Sequence, residues 1–136
     1  MTPPTDGVYF EDIRKAAKRN NWFRQVICTN RHSQIVLMAI PPGGELGEEI
    51  QDGTDQLFVI VEGEGDARVS GRVRAVGPND LVAVGAGTRH NIRNIGHADL
   101  KLFLLSAPPA HAEGTIHRTR EDAIGAMVTT GRARSA

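Results

Sequence analysis

The chain has 136 residues, which is enough for one domain with its own hydrophobic core. Its 16 basic and 16 acidic side chains cancel, so no overall field draws it to nucleic acid or to an anionic membrane surface. The N-terminus lacks the order of a secretory signal, no apolar run is as long as a membrane span, and Cys28 is the only cysteine. These features exclude an internal disulfide and predict a cytoplasmic protein without nucleic-acid or membrane partners.

The N-terminal part of the chain predicts an arm followed by one short helix. Residues 1–9 contain two prolines and a glycine, which disfavour regular structure. Segment 11–20 is rich in alanine and charged residues that favour helix, so we predict a helix within 10–21. After this helix the chain consists of short β-branched and aliphatic runs separated by Gly, Pro, Asn and Asp, which is typical of many short strands.

Segment 22–107 predicts an all-β barrel or sandwich. Fifteen glycines, many of them between or inside the apolar runs, argue against helices there. Eight short strands with turns between them are typical of all-β folds. The predicted strands are 23–29, 33–40, 57–62, 66–70, 72–76, 80–84, 89–94 and 100–106.

The C-terminal tail, 108–136, predicts a second short helix. Thr119 precedes a charged turn that contains two acids, which is the pattern of a helix N-terminus, so we predict a helix over 120–127. We find no internal repeat and no domain boundary, and therefore expect a single domain over residues 1–136.

Two segments carry a pattern of turns and polar residues. The first, 42–63, has a Gly-rich turn, the polar residues Glu49, Gln51 and Gln56, and then a strand that ends at Gly63. The second has an Asn79-Asp80 turn, an Ala86-Gly87-Thr88 corner, and the closing pair His90 and Asn94.

Together these segments resemble the two motifs of the cupin superfamily. The similarity extends to a group of small bacterial cupins of unassigned activity and covers about residues 8–125. It implies a double-stranded β-helix, the cupin jelly-roll barrel, with a short helix before it and a short helix after it.

The resemblance also implies the site. In the family, two histidines and a glutamate of the first motif and a histidine of the second hold a metal, and these positions are Glu49, Gln51, Gln56 and His90 here. Alternate residues of a strand face the same side, so Glu49 and Gln51 are expected to point inward together. One imidazole, one carboxylate and two amides suit at most a weakly held divalent ion such as Fe, Mn, Zn or Ni, and the site is equally expected without metal.

A wider set of residues is expected to bind the ligand. Gln51, Gln56 and His90 are candidate substrate-binding residues, and Asp55 is the alternative carboxylate if the register shifts by one residue. An apolar wall is expected beside them. Its predicted members are Leu57, Val59, Ile92 and Phe103.

Three functions remain open at this point. One is a metal-assisted isomerase, epimerase or oxygenase acting on a small polar molecule. The alternative is a non-catalytic binding module with a metal-free site, and a weaker third is a structural dimer with a vestigial pocket.

The family resemblance and the free strand edges of a small barrel predict a homodimer. Trp22 and Phe23 are expected either at its interface or at the end of the barrel.

Overall fold

The computed structural model describes residues 7–130 and 134–135. Parts of the predicted arm and tail, namely 1–6, 131–133 and 136, lie outside the described residues. The two helices are α1 (Ile13–Arg19) and α2 (Arg120–Thr130). The strands are β1 (Arg24–Thr29), β2 (Gln34–Ile40), β3 (Glu49–Ile50), β4 (Asp55–Glu62), β5 (Gly65–Val69), β6 (Arg72–Val76), β7 (Leu81–Val84), β8 (His90–Asn94), β9 (Leu100–Ala107), β10 (Ile116–His117) and β11 (Arg134–Ser135).

The strands form two antiparallel sheets. One has the order β10-β1-β2-β9-β4-β7 and the other the order β11-β3-β8-β5-β6. All eight predicted strands are present, with ends that differ by at most two residues. The all-β double-stranded β-helix prediction is therefore confirmed. The strands that the sequence pattern did not indicate are β3, β10 and β11, each of two residues, which is too short to show an alternation of polar and apolar side chains.

The main core lies between the two sheets. Residues directly opposite each other on paired strands share a face. One such row crosses the larger sheet through Val36, Leu104, Phe58 and Val82. The first three of these side chains are buried and Val82 packs against them, so the even-numbered positions of β2, of β9 and of β4 up to Ile60 point into the barrel.

A second apolar cluster covers the other side of the same sheet. Helix α1 packs there through Ala16 and Ala17 against Ile27, Leu37 and Val61. Strands buried on both faces are more uniformly apolar than strands with one solvated face. The sequence of such a strand therefore does not show to which side each residue points.

This second cluster corrects the predicted apolar wall. Phe103 packs in the outer cluster beneath α1, and Leu57 and Val59 lie on the same outer face, with Leu57 38% exposed. Of the four predicted wall residues, Ile92 alone belongs to the interior core. The prediction is wrong for the other three residues because α1 gives the outer face of the sheet its own apolar layer.

Both helices begin at side-chain caps. Asp12 Oδ1 accepts a hydrogen bond from the backbone N–H of Lys15 at 3.0 Å, and α1 is shorter than the predicted segment. Thr119 Oγ1 accepts one from the N–H of Asp122 at 3.1 Å, which confirms the predicted start of α2. Ala123 of α2 is buried in the main core, and so is Phe23. Of the helices in the described ranges, 7–130, none has the length and apolar character needed to cross a membrane.

Candidate functional site

Glu49 and His90 face each other inside the barrel. They are direct cross-strand partners on β3 and β8, and His90 is only 2% exposed. His90 Nδ1 donates a hydrogen bond to the backbone carbonyl of Thr88 at 2.9 Å, while Nε2 lies 3.2 Å from Glu49 Oε1. Since Nδ1 carries a proton to donate to a carbonyl, the second contact needs a further proton between Nε2 and the carboxylate.

The surroundings of His90 favour its charged form. Burial alone lowers the pKa of His90, because it removes water from the imidazolium. The hydrogen bonds to Glu49 and Thr88 and the charge of Glu49 act in the opposite direction and outweigh burial, so the pKa of His90 is raised above its usual 6.5. The pair is therefore best described as an imidazolium held by a carboxylate.

Gln56 places an amide oxygen without a hydrogen-bond partner among the described residues in the same interior. It is 2% exposed on β4, and its Oε1 has no hydrogen-bond partner among the described residues. Phe58, two residues further along β4 and on the same face, places its ring centroid 5.7 Å from that of His90. Ser106 is opposite Gln56, and its buried Oγ likewise lacks a partner in the described ranges. Buried polar atoms in this state are satisfied by water or by a ligand.

Gln51 lies beyond the strand in which it was expected to alternate with Glu49, and Asp55 faces outward because the register of Gln56 holds. Strand β3 ends at Ile50, so the alternation that was to turn Gln51 inward beside Glu49 does not extend to it. The backbone carbonyl of Gln51 accepts a hydrogen bond from Gly87 at 2.8 Å. Asp55 is exposed on the opposite face of β4 from Gln56, and its Oδ1 accepts from the N–H of Ala86 at 2.9 Å. The interior therefore contains Glu49, Gln56 and His90 of the predicted set, without Asp55.

Arg24 is an interior residue that the sequence did not indicate. It is 7% exposed on β1, opposite His117 of β10, and its Nη1 donates to His117 Nδ1 at 3.2 Å. Its Nε is buried without a partner in the described part of the chain. Burial lowers the pKa of Arg24, and the negative charge of Glu49 opposes this effect. The position of Arg24 two residues before the buried Val26 was the available signal, but charged residues are seldom buried.

His117 returns from the tail to complete this group. Burial and the neighbouring Arg24 lower its pKa, against the weaker opposing effect of Asp122. His117 therefore acts as a neutral acceptor for Arg24. Trp22 and Phe23 were expected either at a dimer interface or at the end of the barrel. Phe23 is in the core, and Trp22 is half-buried, with Cζ of Arg118 5.7 Å from the centroid of its ring.

The donor set does not fit a tightly held divalent metal. The described residues contain no cluster of three or more His, Cys, Asp and Glu side chains that could hold a metal ion, and two of the four predicted ligand positions carry amides, Gln51 and Gln56. Amide oxygens are uncharged, weak ligands. The buried guanidinium of Arg24 also interacts electrostatically with Glu49, and its positive charge repels a second cation near this carboxylate.

Comparison with known proteins agrees with the fold. The sequence profile of the Cupin domain matches residues 36–108. The chain is 34% identical to BH2720 from Bacillus halodurans, whose crystal structure superposes with a TM-score of 0.88 over 92% of this chain and 99% of that one. It is 37% identical to the uncharacterized protein YrkC of Bacillus subtilis over 121 residues, which are 85% of this chain but 65% of YrkC.

A more distant relative has a named ligand. The oxalate-binding protein of Thermotoga maritima is 28% identical over 76 residues, covering 56% of this chain and 63% of that protein. The motifs, the two-sheet barrel and the profile match agree with one another. The chain belongs to the cupin domain family.

Proposed function

We propose that the barrel binds a small organic carboxylate at Arg24, Gln56 and His90, without a resident metal. The observation that carries this proposal is that three buried polar atoms of the barrel interior have no partner among the described residues: Arg24 Nε, Gln56 Oε1 and Ser106 Oγ. Leaving such groups unsatisfied costs about 1–3 kcal/mol each, so a ligand that satisfies them binds favourably.

The charges of the interior support a carboxylate. Arg24 is permanently cationic and His90 is held toward its imidazolium form, against the single carboxylate of Glu49. The excess is positive, and an anionic ligand neutralises it. Arg24 is a charged donor for a carboxylate, His90 adds positive charge beside it, and Gln56 Oε1 is an acceptor for a ligand hydroxyl. The similarity to an oxalate-binding protein supports the same class of ligand.

A metal-assisted reaction is the second candidate. The hydrogen bond to Thr88 fixes His90 in the orientation that metal-binding histidines adopt, with Nε2 toward the carboxylate. In this alternative, Fe, Mn, Zn or Ni is weakly held at Glu49, Gln51, Gln56 and His90, and the protein is an isomerase, epimerase or oxygenase.

Two measurements on protein made without a histidine tag separate the candidates. Metal analysis is expected to find well below one equivalent of any divalent ion. Thermal unfolding is expected at higher temperature with oxalate or malate and unchanged with a neutral sugar or with Zn²⁺. Arg24→Gln is expected to abolish the shift, and Arg89→Gln, at an exposed arginine, is the matched control. Stoichiometric metal that is lost in His90→Gln would replace this proposal with the metal-dependent one.

We also propose that this single-domain protein is cytoplasmic and forms a homodimer. Phe10 is 94% exposed just before α1, and a large apolar side chain in that position is suited to contact with a second copy. Sedimentation equilibrium is expected to give twice the chain mass for the wild type and a weaker dimer for Phe10→Ser. A monomeric wild type at micromolar concentration would contradict the dimer without affecting the ligand proposal.

A further inference from the structure

A groove opens where the two sheets end side by side. Strand β7 is the last strand of the larger sheet and β6 the last strand of the smaller one. The space between them has a volume of about 390 Å³, within the range of small-molecule sites. Its lining includes Ala67, Val69, Arg72, Arg74, Val76 and Val82.

The strand register puts the two arginines of β6 on the inner side of the barrel. Arg72 is opposite Val69, Val69 is opposite His90, and His90 is opposite Glu49. Arg74 is in the next inner row, opposite Ala67. Since directly opposite residues of paired strands share a face, both guanidiniums extend from the face that carries His90.

The groove and the His90 site share their apolar floor. Val69 lies between Arg72 and His90 in one row, so a molecule in the groove passes over it to reach the imidazole. On the other wall, Val82 is the cross-strand partner of Phe58, whose ring contacts that of His90. The groove therefore lies next to the His90 site along the inner face of the barrel.

The two guanidiniums in the groove are not engaged by protein acids. Neither the Arg72 nor the Arg74 side chain makes an ion pair or hydrogen bond with any residue in the described ranges, whereas the side chains of Arg93 and Arg68 on the outer face pair with Asp66 at 2.9 and 3.7 Å. Asp80, the acid in the groove lining, has its Oδ2 hydrogen-bonded to the N–H of Gly77 at 2.8 Å.

From these observations we propose that the groove binds the anionic end of an elongated organic molecule. A carboxylate or phosphate lies between Arg72 and Arg74, an aliphatic segment covers Val69 and Val82, and the opposite polar end reaches His90. Two adjacent guanidiniums match the planar, multidentate geometry of such oxyanions. The inference rests on the proposed function for its polar end and adds a second anchoring point, so the ligand class becomes a two-ended amphipathic anion.

The test is nuclear magnetic resonance of the ¹⁵N-labelled full chain titrated with octanoate, hexyl phosphate and inorganic phosphate. The two organic anions are expected to shift the arginine Nε–H signals of Arg72 and Arg74 and the amide of Val82 in a saturable manner. The stronger of the two identifies the anionic group. Arg72→Gln with Arg74→Gln is expected to raise the dissociation constant at least about tenfold. Arg68→Gln, an exposed arginine on the outer face of β5, is the matched control and is expected to leave it unchanged.

The outcomes separate this proposal from the one on which it rests. Octanoate binding that the double variant leaves intact overturns the arginine anchor, and inorganic phosphate binding as tightly as octanoate overturns the apolar segment. If oxalate shifts the His90 signals while none of the three probes shifts the groove, the interior carboxylate site stands and the groove proposal fails. If the probes shift the groove but neither they nor oxalate shift His90, the groove anchor stands and the proposed function fails.

Discussion

His90 Nε2 lies 3.2 Å from Glu49 Oε1, and the other ring nitrogen of His90 donates to the carbonyl of Thr88 at 2.9 Å. A histidine whose pKa is raised in the folded protein stabilises the fold fully below its unfolded pKa, which is near 6.5. That contribution is lost as the pH rises through the higher folded pKa. The pair is thus a stabilising element of mildly acidic and neutral solution.

The first prediction is a pH-dependent stability that disappears in Glu49→Gln. Urea unfolding of the wild type and the variant is measured from about pH 5 to about pH 9, where histidine titrates. The difference in unfolding free energy is expected to be largest below pH 6.5 and to decrease as the pH rises. A difference that does not change with pH would mean that Glu49 leaves the pKa of His90 unshifted in the folded protein.

The second prediction concerns metal affinity in Gln51→His. A second imidazole near His90 and Glu49 is expected to raise the affinity for Zn²⁺ by at least about tenfold over the wild type, as measured by calorimetry. Asp55→His is the control, because position 55 is exposed on the outer face of β4. Equal Zn²⁺ affinity in the two variants would show that residue 51 does not face the site.

The third prediction compares two glycines with positive φ. Gly63 has φ +97° and Gly71 has φ +80°, so alanine strains the backbone at both. A Cβ at Gly63 would lie 2.7 Å from the carbonyl oxygen of Asp99, whereas at Gly71 nothing lies within 4 Å. Gly63→Ala is therefore expected to lose about 1–3 kcal/mol more stability than Gly71→Ala in chemical denaturation. Equal losses would mean that the Asp99 backbone moves aside freely.

The fourth prediction concerns the buried Gln34. Its Nε2 donates to Thr29 Oγ1 at 3.0 Å and to the His111 carbonyl at 2.7 Å, and its Oε1 accepts from the His111 N–H at 3.1 Å. Gln34→Leu is expected to cost about 2–4 kcal/mol of unfolding free energy, because buried partners lose these bonds. Gln25→Leu, at a buried position on the outer face of β1, is expected to cost less than about 1 kcal/mol. Similar costs would indicate that His111 finds other partners.

Much of the barrel could be predicted because each long strand is bounded by its own turn residues. Gly77 to Asp80 is one such turn, and the Gly77 N–H donates to Asp80 Oδ2 as a turn acid requires. The resemblance to the cupin motifs also implied that Glu49 and His90 lie together, and they are cross-strand partners here. The facing of Leu57 and Phe103 could not be predicted, since their strands carry apolar side chains on both faces and the covering helix is distant in sequence.

The burial of Arg24 could not be predicted from the sequence for a different reason. Arg24 is held by His117, which is 93 positions away along the chain, and by its attraction to Glu49. A pattern along one strand carries no information on partners supplied by a tail and by another sheet. Burial of a charge is decided by those partners, so it emerges only when the fold is assembled.

Strands β2, β9 and β4 have the core on one side and α1 on the other. This part of the barrel is therefore expected to be more rigid than the rest. Amide protons of β2 and β9, where nearly every side chain is buried or half-buried on both faces, are expected to exchange last in deuterated solvent. Strands β6 and β7 have one neighbour each and mostly exposed or half-exposed side chains, so they open first. Entry of a molecule between β6 and β7 therefore deforms the compliant side of the barrel and leaves its rigid wall in place.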